Sequence, residues 1–193
     1  MTPKNIFIVG AGSFGRELES WISLDKKFHK DWEIKGYIDD NQNALADVPS
    51  DYSIIGNTDY CFNNEDYVVF AIADYNHRER IYNKLKGRVK FESYIDSSAI
   101  VGKYTVIGEG SVICPHTIIS TNVKLGKCTV VNSFSQIGHD SFIDDFCSIM
   151  SNVDIGDHCI IGRSVFFNTK SSVLPGKEIT SGTFIDVGSV VYG

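Results

Sequence analysis

No stretch of the 193-residue chain is long and apolar enough to span a membrane, no CxxC pair occurs, and neither half carries a basic patch. Each absence removes a class of function. The N-terminus shows no charged leader followed by an apolar run and a cleavage site, so a secretory route is not expected. Residues 1 to 94 carry 12 basic and 15 acidic groups and the remainder 6 and 9, which builds no face for nucleic acid or an anionic membrane surface. Five cysteines (Cys61, Cys114, Cys128, Cys147, Cys159) are an odd count at unrelated spacings. They read as small buried residues in a reducing compartment rather than as a disulfide frame or zinc site. A soluble cytoplasmic protein is expected, without membrane insertion and without a nucleic-acid partner.

What is present is a repeat. From Ile95 to Val190 the chain divides into sixteen six-residue units with no insertion or deletion, and the first position of every unit is apolar. The fifth position is small or β-branched in all units but the one with Lys177, and Gly fills the second at Gly102, Gly108, Gly126, Gly138, Gly156 and Gly162. This pattern predicts a parallel β-helix of short strands and tight turns, with first and fifth positions facing a narrow core. A sandwich would interrupt its alternation with loops of unequal length, and this phase never slips. The second-position glycines are expected to supply the backbone angles of the turns. Three units per coil make a triangular prism of about five coils, in which positions eighteen apart stack. Polar turn residues such as Asp96, Glu109, Asp144, Asp145, Asp154 and Asp157 read as a solvated rim.

The first half predicts an α/β unit. Asn5 to Val9 is a short buried strand that runs into Gly10-Ala-Gly-Ser-Phe-Gly15, a GxGxxG loop before a helix from about Phe14 to Leu24. That helix carries Phe14, Leu18, Trp21 and Ile22 on one face. A second strand, Glu33 to Ile38, ends in Asp39-Asp40. A glycine loop opening a helix turns backbone N–H groups toward phosphate, and an acid closing the next strand can accept hydrogen bonds from a ribose or base. Gly10, Gly12, Ser13, Gly15, Asp39 and Asp40 are therefore the candidate nucleotide-binding set. Tyr67 to Ala73 reads as a further buried strand, after which Asp74 or Asn76 either meets the ligand crevice or caps a helix from about His77 to Lys86. His29 and His77 read as surface residues. Only one βαβαβ half fits before the repeat, which suits a single nucleotide. The domains are expected at 1–92, Rossmann-like, and 93–193, β-helical.

Three histidines fall in the repeat. Unit counting puts His139 and His158 on one face, one coil apart, and His116 on another. A trimer could gather such residues around zinc, but the closely spaced histidine pair of β-helical metalloenzymes is missing, and no metal is expected. His139 stands out, with Gly138 before it and Asp140 after it to orient the ring; an imidazole titrating near neutrality can take a proton from an attacking amine or hydroxyl.

Taken together, the Gly10 loop, Asp39-Asp40, Ala71-Ile-Ala-Asp74, His139-Asp140 and Val173-Leu-Pro175 resemble the sugar acyltransferases of the sialic-acid O-acetyltransferase and bacillosamine N-acetyltransferase type. The resemblance implies a left-handed β-helix, a homotrimer with acetyl-CoA in clefts between prisms, and a nucleotide-linked amino or deoxy sugar as acceptor in polysaccharide biosynthesis. It implies His139 as base, Asp140 as its orienting partner and Asn132 beside the reacting groups. It assigns no CoA-binding residues. The chain departs from the family at Phe14 and at Ser148, where relatives carry histidines, and in ending Val-Val-Tyr-Gly193 instead of in a Pro-Ala-Lys tail that touches CoA. The rival readings are a non-catalytic nucleotide-sugar-binding or assembly protein on the same fold and a β-helical zinc enzyme.

Overall fold

The computed structural model describes residues 3–25 and 31–192; His29 and Gly193 lie outside them. The chain groups into two compact units, Met1–Ala73 with His77–Glu92, and Asp74–Asn76 with Ser93–Gly193. Among the described residues no helix is long and apolar enough to cross a membrane.

The first unit contains β1 (Lys4–Val9), α1 (Ser13–Leu24), β2 (Trp32–Ile38), β3 (Ile54–Gly56), β4 (Asp66–Phe70), α2 (Tyr75–Leu85) and β5 (Lys90–Phe91). Its parallel sheet has the order β3-β2-β1-β4-β5. Five strands exceed the single βαβαβ half expected, because two of them, β3 and β5, are only three and two residues long and carry no apolar pattern of their own. The strand Tyr67 to Ala73 stops earlier than expected, at Phe70. Helix α2 starts at Tyr75, so Asn76 lies inside it and Asp74 immediately before it. Along α1 the buried face is Gly15, Leu18, Glu19 and Ile22, whereas Phe14 and Trp21 are half-buried and meet edge to face at 6.2 Å. The buried acid has a partner: Glu19 accepts hydrogen bonds from Tyr37 Oη and, at 2.7 Å, from Ser50 Oγ. Burial, with the Glu19 charge adding to it, pushes the Tyr37 phenol well up from its ordinary value.

The second unit is a prism of two-residue parallel strands in three sheets. On one face Ile100–Val101, Ile118–Ile119, Gln136–Ile137, Asp154–Ile155, Ser172–Val173 and Val190–Val191 stack in register, each eighteen residues from the next. First-position apolar residues from Ile113 to Ile185, Phe167 among them, form the core with fifth-position Val123, Cys147, Val153, Cys159 and Val165. Buried fifth-position hydroxyls are satisfied by a ladder: Ser111, Ser135 and Ser141 Oγ donate to carbonyls fifteen residues on and accept the N–H eighteen residues on, at 2.8–3.1 Å. Cys147 and Cys159 take the same place, their thiols 3.2 and 3.4 Å from carbonyls. Four cysteines are buried as expected; Cys61 is exposed, since it sits in an irregular segment outside strand and core.

Two details differ from the sequence reading. The left-handed backbone, φ near +60°, falls on the fourth position, from Tyr104 through His116, Asn122, Asp140 and His158 to Gly188. Second-position glycines answer a different need. A Cβ on Gly108 would sit 2.4 Å from Lys127 N, and the other five would meet the next coil as closely. Coil-to-coil approach, not turn angle, selects glycine there. Asp96 is buried, not a rim residue, and accepts from Tyr94 Oη at 2.8 Å and Ser98 Oγ at 2.6 Å.

Candidate active site and nucleotide cleft

In the first unit the strand order reverses between β1 and β4, and a cavity of about 210 Å³ opens beyond their carboxyl ends. Gly10, Gly12, Asp39, Asp40, Thr58 and His77 are among its lining residues. Gly10 has φ +105° and a Cβ there would lie 2.8 Å from Ala71 O; one on Gly15 would lie 2.1 Å from Gly10 O. Those two glycines are required by the fold. Gly12 has open space around it and precedes Ser13 at the uncapped start of α1, so it leaves room for a ligand rather than for the protein.

The two acids divide their work. Asp39 closes the loop, with Oδ2 accepting from Ala11 N–H at 2.7 Å and Oδ1 from Asn41 N–H at 2.8 Å. Asp40 Oδ1 accepts from Thr58 N–H and Oγ1 at 2.9 and 2.7 Å, and Lys84 Nζ donates to that Oγ1 at 2.6 Å. The Thr58 N–H, above all, holds the Asp40 carboxyl below the usual range. Thr58, Lys84 and His77 were missed from sequence. His77, read as a surface residue, is exposed but faces into the cleft. Thr58 follows the short strand β3, which carries no pattern that could have signalled it.

In the second unit the catalytic candidates occupy turn positions three and four of consecutive coils, where the prism edge is exposed. His139 Nδ1 is 2.7 Å from Asp140 Oδ2. Asn122, one coil below, donates its side-chain amide to Asp140 Oδ1. That amide first, and the His139 ring second, hold the Asp140 carboxyl below its ordinary value. One coil above stand Asp157 and His158 in the reverse order. His139 Nε2 lies 3.3 Å from Asp157 Oδ2, His158 Nε2 lies 3.9 Å from Asp140 Oδ2, and the two rings meet edge to face at 5.1 Å. Acid and imidazole thus alternate around a square.

Asp157 was read as rim and Asn122 was passed over, although eighteen-residue stacking, applied to positions 139 and 140, points to 157, 158 and 122. Asn132 is not joined to His139 by any hydrogen bond among the described residues; its Oδ1 accepts from Ser133 N–H at 2.7 Å.

His139, Asp140 and His158 place ligating atoms within 4.8 Å of one another. Two ligands of a tetrahedral zinc at about 2.0 Å would stand roughly 3.3 Å apart. The 2.7 Å between His139 and Asp140 is the length of a charge-assisted hydrogen bond instead. Beside this square runs a groove of about 430 Å³ lined by Gln136, Gly138, Asp154, Gly156, Asp157 and Leu174, among others.

Two families of domain match the chain: the PglD N-terminal domain over residues 5–85 and the bacterial transferase hexapeptide (six repeats) over 134–169. The chain thus joins a PglD N-terminal domain to a bacterial transferase hexapeptide region. Comparison with curated proteins gave no match. Among solved structures, the fold is shared with a histidine-to-asparagine variant of perosamine N-acetyltransferase from Caulobacter crescentus in complex with CoA and GDP-perosamine. That pair is 18% identical over 97% of this chain and 88% of the other, with a TM-score of 0.81. It is shared also with the acetyltransferase domain of PglB from Neisseria gonorrhoeae in complex with acetyl coenzyme A (20% identity, 100% and 97% covered, TM-score 0.74). WeeI from Acinetobacter baumannii matches at 22% identity, 93% and 94% covered, with a TM-score of 0.63. The shared fold, a Rossmann-like unit followed by a left-handed β-helix, is the one expected from sequence.

Proposed function

We propose that the protein transfers an acetyl group from acetyl-CoA to the amine of a nucleotide-linked sugar, with His139 as general base. The observation that carries this reading is the 2.7 Å contact between His139 Nδ1 and Asp140 on an exposed edge of the prism. Asp140 accepts the Nδ1 proton, which leaves Nε2 as the basic nitrogen. Nε2 takes a proton as the amine attacks the thioester carbonyl; the C–N bond forms, the C–S bond breaks, and the imidazolium returns the proton to the departing sulfur. No covalent enzyme intermediate is required. The amine is preferred to a hydroxyl because two similar structures in complex with CoA and GDP-perosamine are of N-acetyltransferases.

The Gly10 cleft takes the nucleotide: Gly12 and the start of α1 face its phosphates, and Asp39 and Asp40 its ribose or base. The groove beside Asp157 takes the thioester arm. Exposed Val106, Phe142 and Ile160 on one outer face of the prism support assembly into a homotrimer, which would bring Asn132 of one subunit toward a neighbour's His139. Acetyl-CoA and free cysteines fit a cytoplasmic setting.

Mixing the protein with acetyl-CoA and nucleotide-linked amino sugars, and following thiol release, tests the reading. Turnover that His139→Ala lowers by about a hundredfold or more supports it. Turnover that survives the substitution, or an active monomer, overturns the base assignment or the shared cleft respectively.

A further inference from the structure

The contacts around His139 exceed what a base with one orienting acid needs. Asp157 reaches it twice: Oδ1 accepts the His139 backbone N–H at 3.2 Å, and Oδ2 stands 3.3 Å from the ring Nε2. The space for this carboxylate exists because residue 138 is glycine; a Cβ there would lie 2.3 Å from Asp157 Oδ1. The same double grip occurs at another edge of the prism. Asp145 Oδ1 accepts the Lys127 backbone N–H at 2.9 Å, and its Oδ2 lies 3.4 Å from Lys127 Nζ. At a third place only the backbone half is present, where Ser181 Oγ accepts the Arg163 N–H at 3.0 Å. The backbone half is therefore a general coil-to-coil link that a serine can make. The side-chain half occurs where the upper residue is an aspartate, and His139 stands where the other edge has Lys127.

We propose that Asp157 is a second carboxylate partner of the His139 ring, which lies between Asp140 at Nδ1 and Asp157 at Nε2. This rests on the reading of His139 as the base and makes Asp157 a positioning residue for it. The charged groups facing the ring are Asp140 on its own coil and Asp157 and His158 on the coil above. The coil below contributes the neutral Asn122 amide, through Asp140. A 3.3 Å contact is longer than a well-made charge-assisted bond, so Asp157 holds the ring in place yet yields Nε2 when the acceptor amine arrives.

Asp157→Asn keeps an oxygen for the His139 backbone N–H and removes only the charge. Ring-nitrogen NMR at neutral pH, with His139 assigned from the spectrum of His139→Ala, reads the consequence without needing turnover. The doubly protonated fraction of His139 falls in Asp157→Asn and not in Asp145→Asn. In the rate–pH profile the variant crosses the parent: about threefold faster on the acidic limb, where more free base is present, and about threefold slower on the alkaline side, where the base is weaker. An unchanged protonated fraction, or a uniform loss of rate at every pH, overturns the proposal. A changed fraction in a protein that turns over no sugar nucleotide upholds the pairing and sinks the acyltransferase reading instead.

Discussion

In the β-helix the partners of a side chain are found by counting: Asn122 bonds to Asp140, Lys127 to Asp145 and His139 to Asp157, each eighteen residues on. In the first unit the bonds that shape the cleft join Ala11 to Asp39 and Thr58 to Asp40, 28 and 18 residues apart, and no sequence repeat underlies those spacings. The prism supplies one backbone to all its edges, so chemistry there is decided by which side chains occupy positions three and four. The cleft is the product of single contacts, each of which also holds the sheet together. Function and folding are separable in the second unit and entangled in the first.

The largest test of that contrast is His139→Ala, which should lower turnover by about a hundredfold or more while leaving the thermal midpoint unchanged, since the side chain is on the rim. A comparable fall in stability would show the edge to be structural. Next, Gly15→Ala should destabilise the first unit by about 1–3 kcal/mol, because its Cβ meets Gly10 O, whereas Gly12→Ala should keep the melting temperature. Gly12→Ala should nonetheless weaken nucleotide binding by about tenfold in a thermal-shift panel, since the new methyl occupies the loop proposed to meet the phosphates. Equal stability loss in both glycine variants would mean that even Gly12 serves the fold.

A smaller effect concerns pH. Tyr37 has its phenol raised in the folded protein by burial beside Glu19, so the stability this gives is fully present below about 10 and is lost as pH rises toward the folded value. Melting temperatures should fall above pH 10 in the parent and less steeply in Tyr37→Phe; parallel curves would remove Tyr37 as the cause. Smallest of all, Lys127→Ala removes a half-exposed ion pair at another edge and should change stability by less than about 1 kcal/mol and turnover not at all.

The same contrast sets what could be read in advance. The six-residue phase gave the core positions and strands, because one constraint acts on every unit. His139 and Asp140 were legible as a pair adjacent in sequence. Asp157 and Asn122 were legible in principle through the eighteen-residue rule, but an acid at a turn is ordinary until its stacked neighbour is considered. The role of second-position glycine was misread because a missing side chain looks the same whether a turn or a neighbouring coil demands it. In the first unit Gly10 to Gly15 and Asp39 announced the cleft, while Thr58, Lys84 and His77 carried no local signal. Their placement depends on β3 and α2 converging on the end of β2, which no short stretch of sequence encodes.

The fixed interval bears finally on how the prism comes to be made. Every rung between coils closes a loop of the same length, so the entropy lost in adding a coil is nearly constant along the axis. Assembly is then a matter of one slow start and repeated fast additions, proceeding from whichever coil forms first. A side chain placed on a single second-position glycine would stall this growth at one rung and leave the coils on either side able to form.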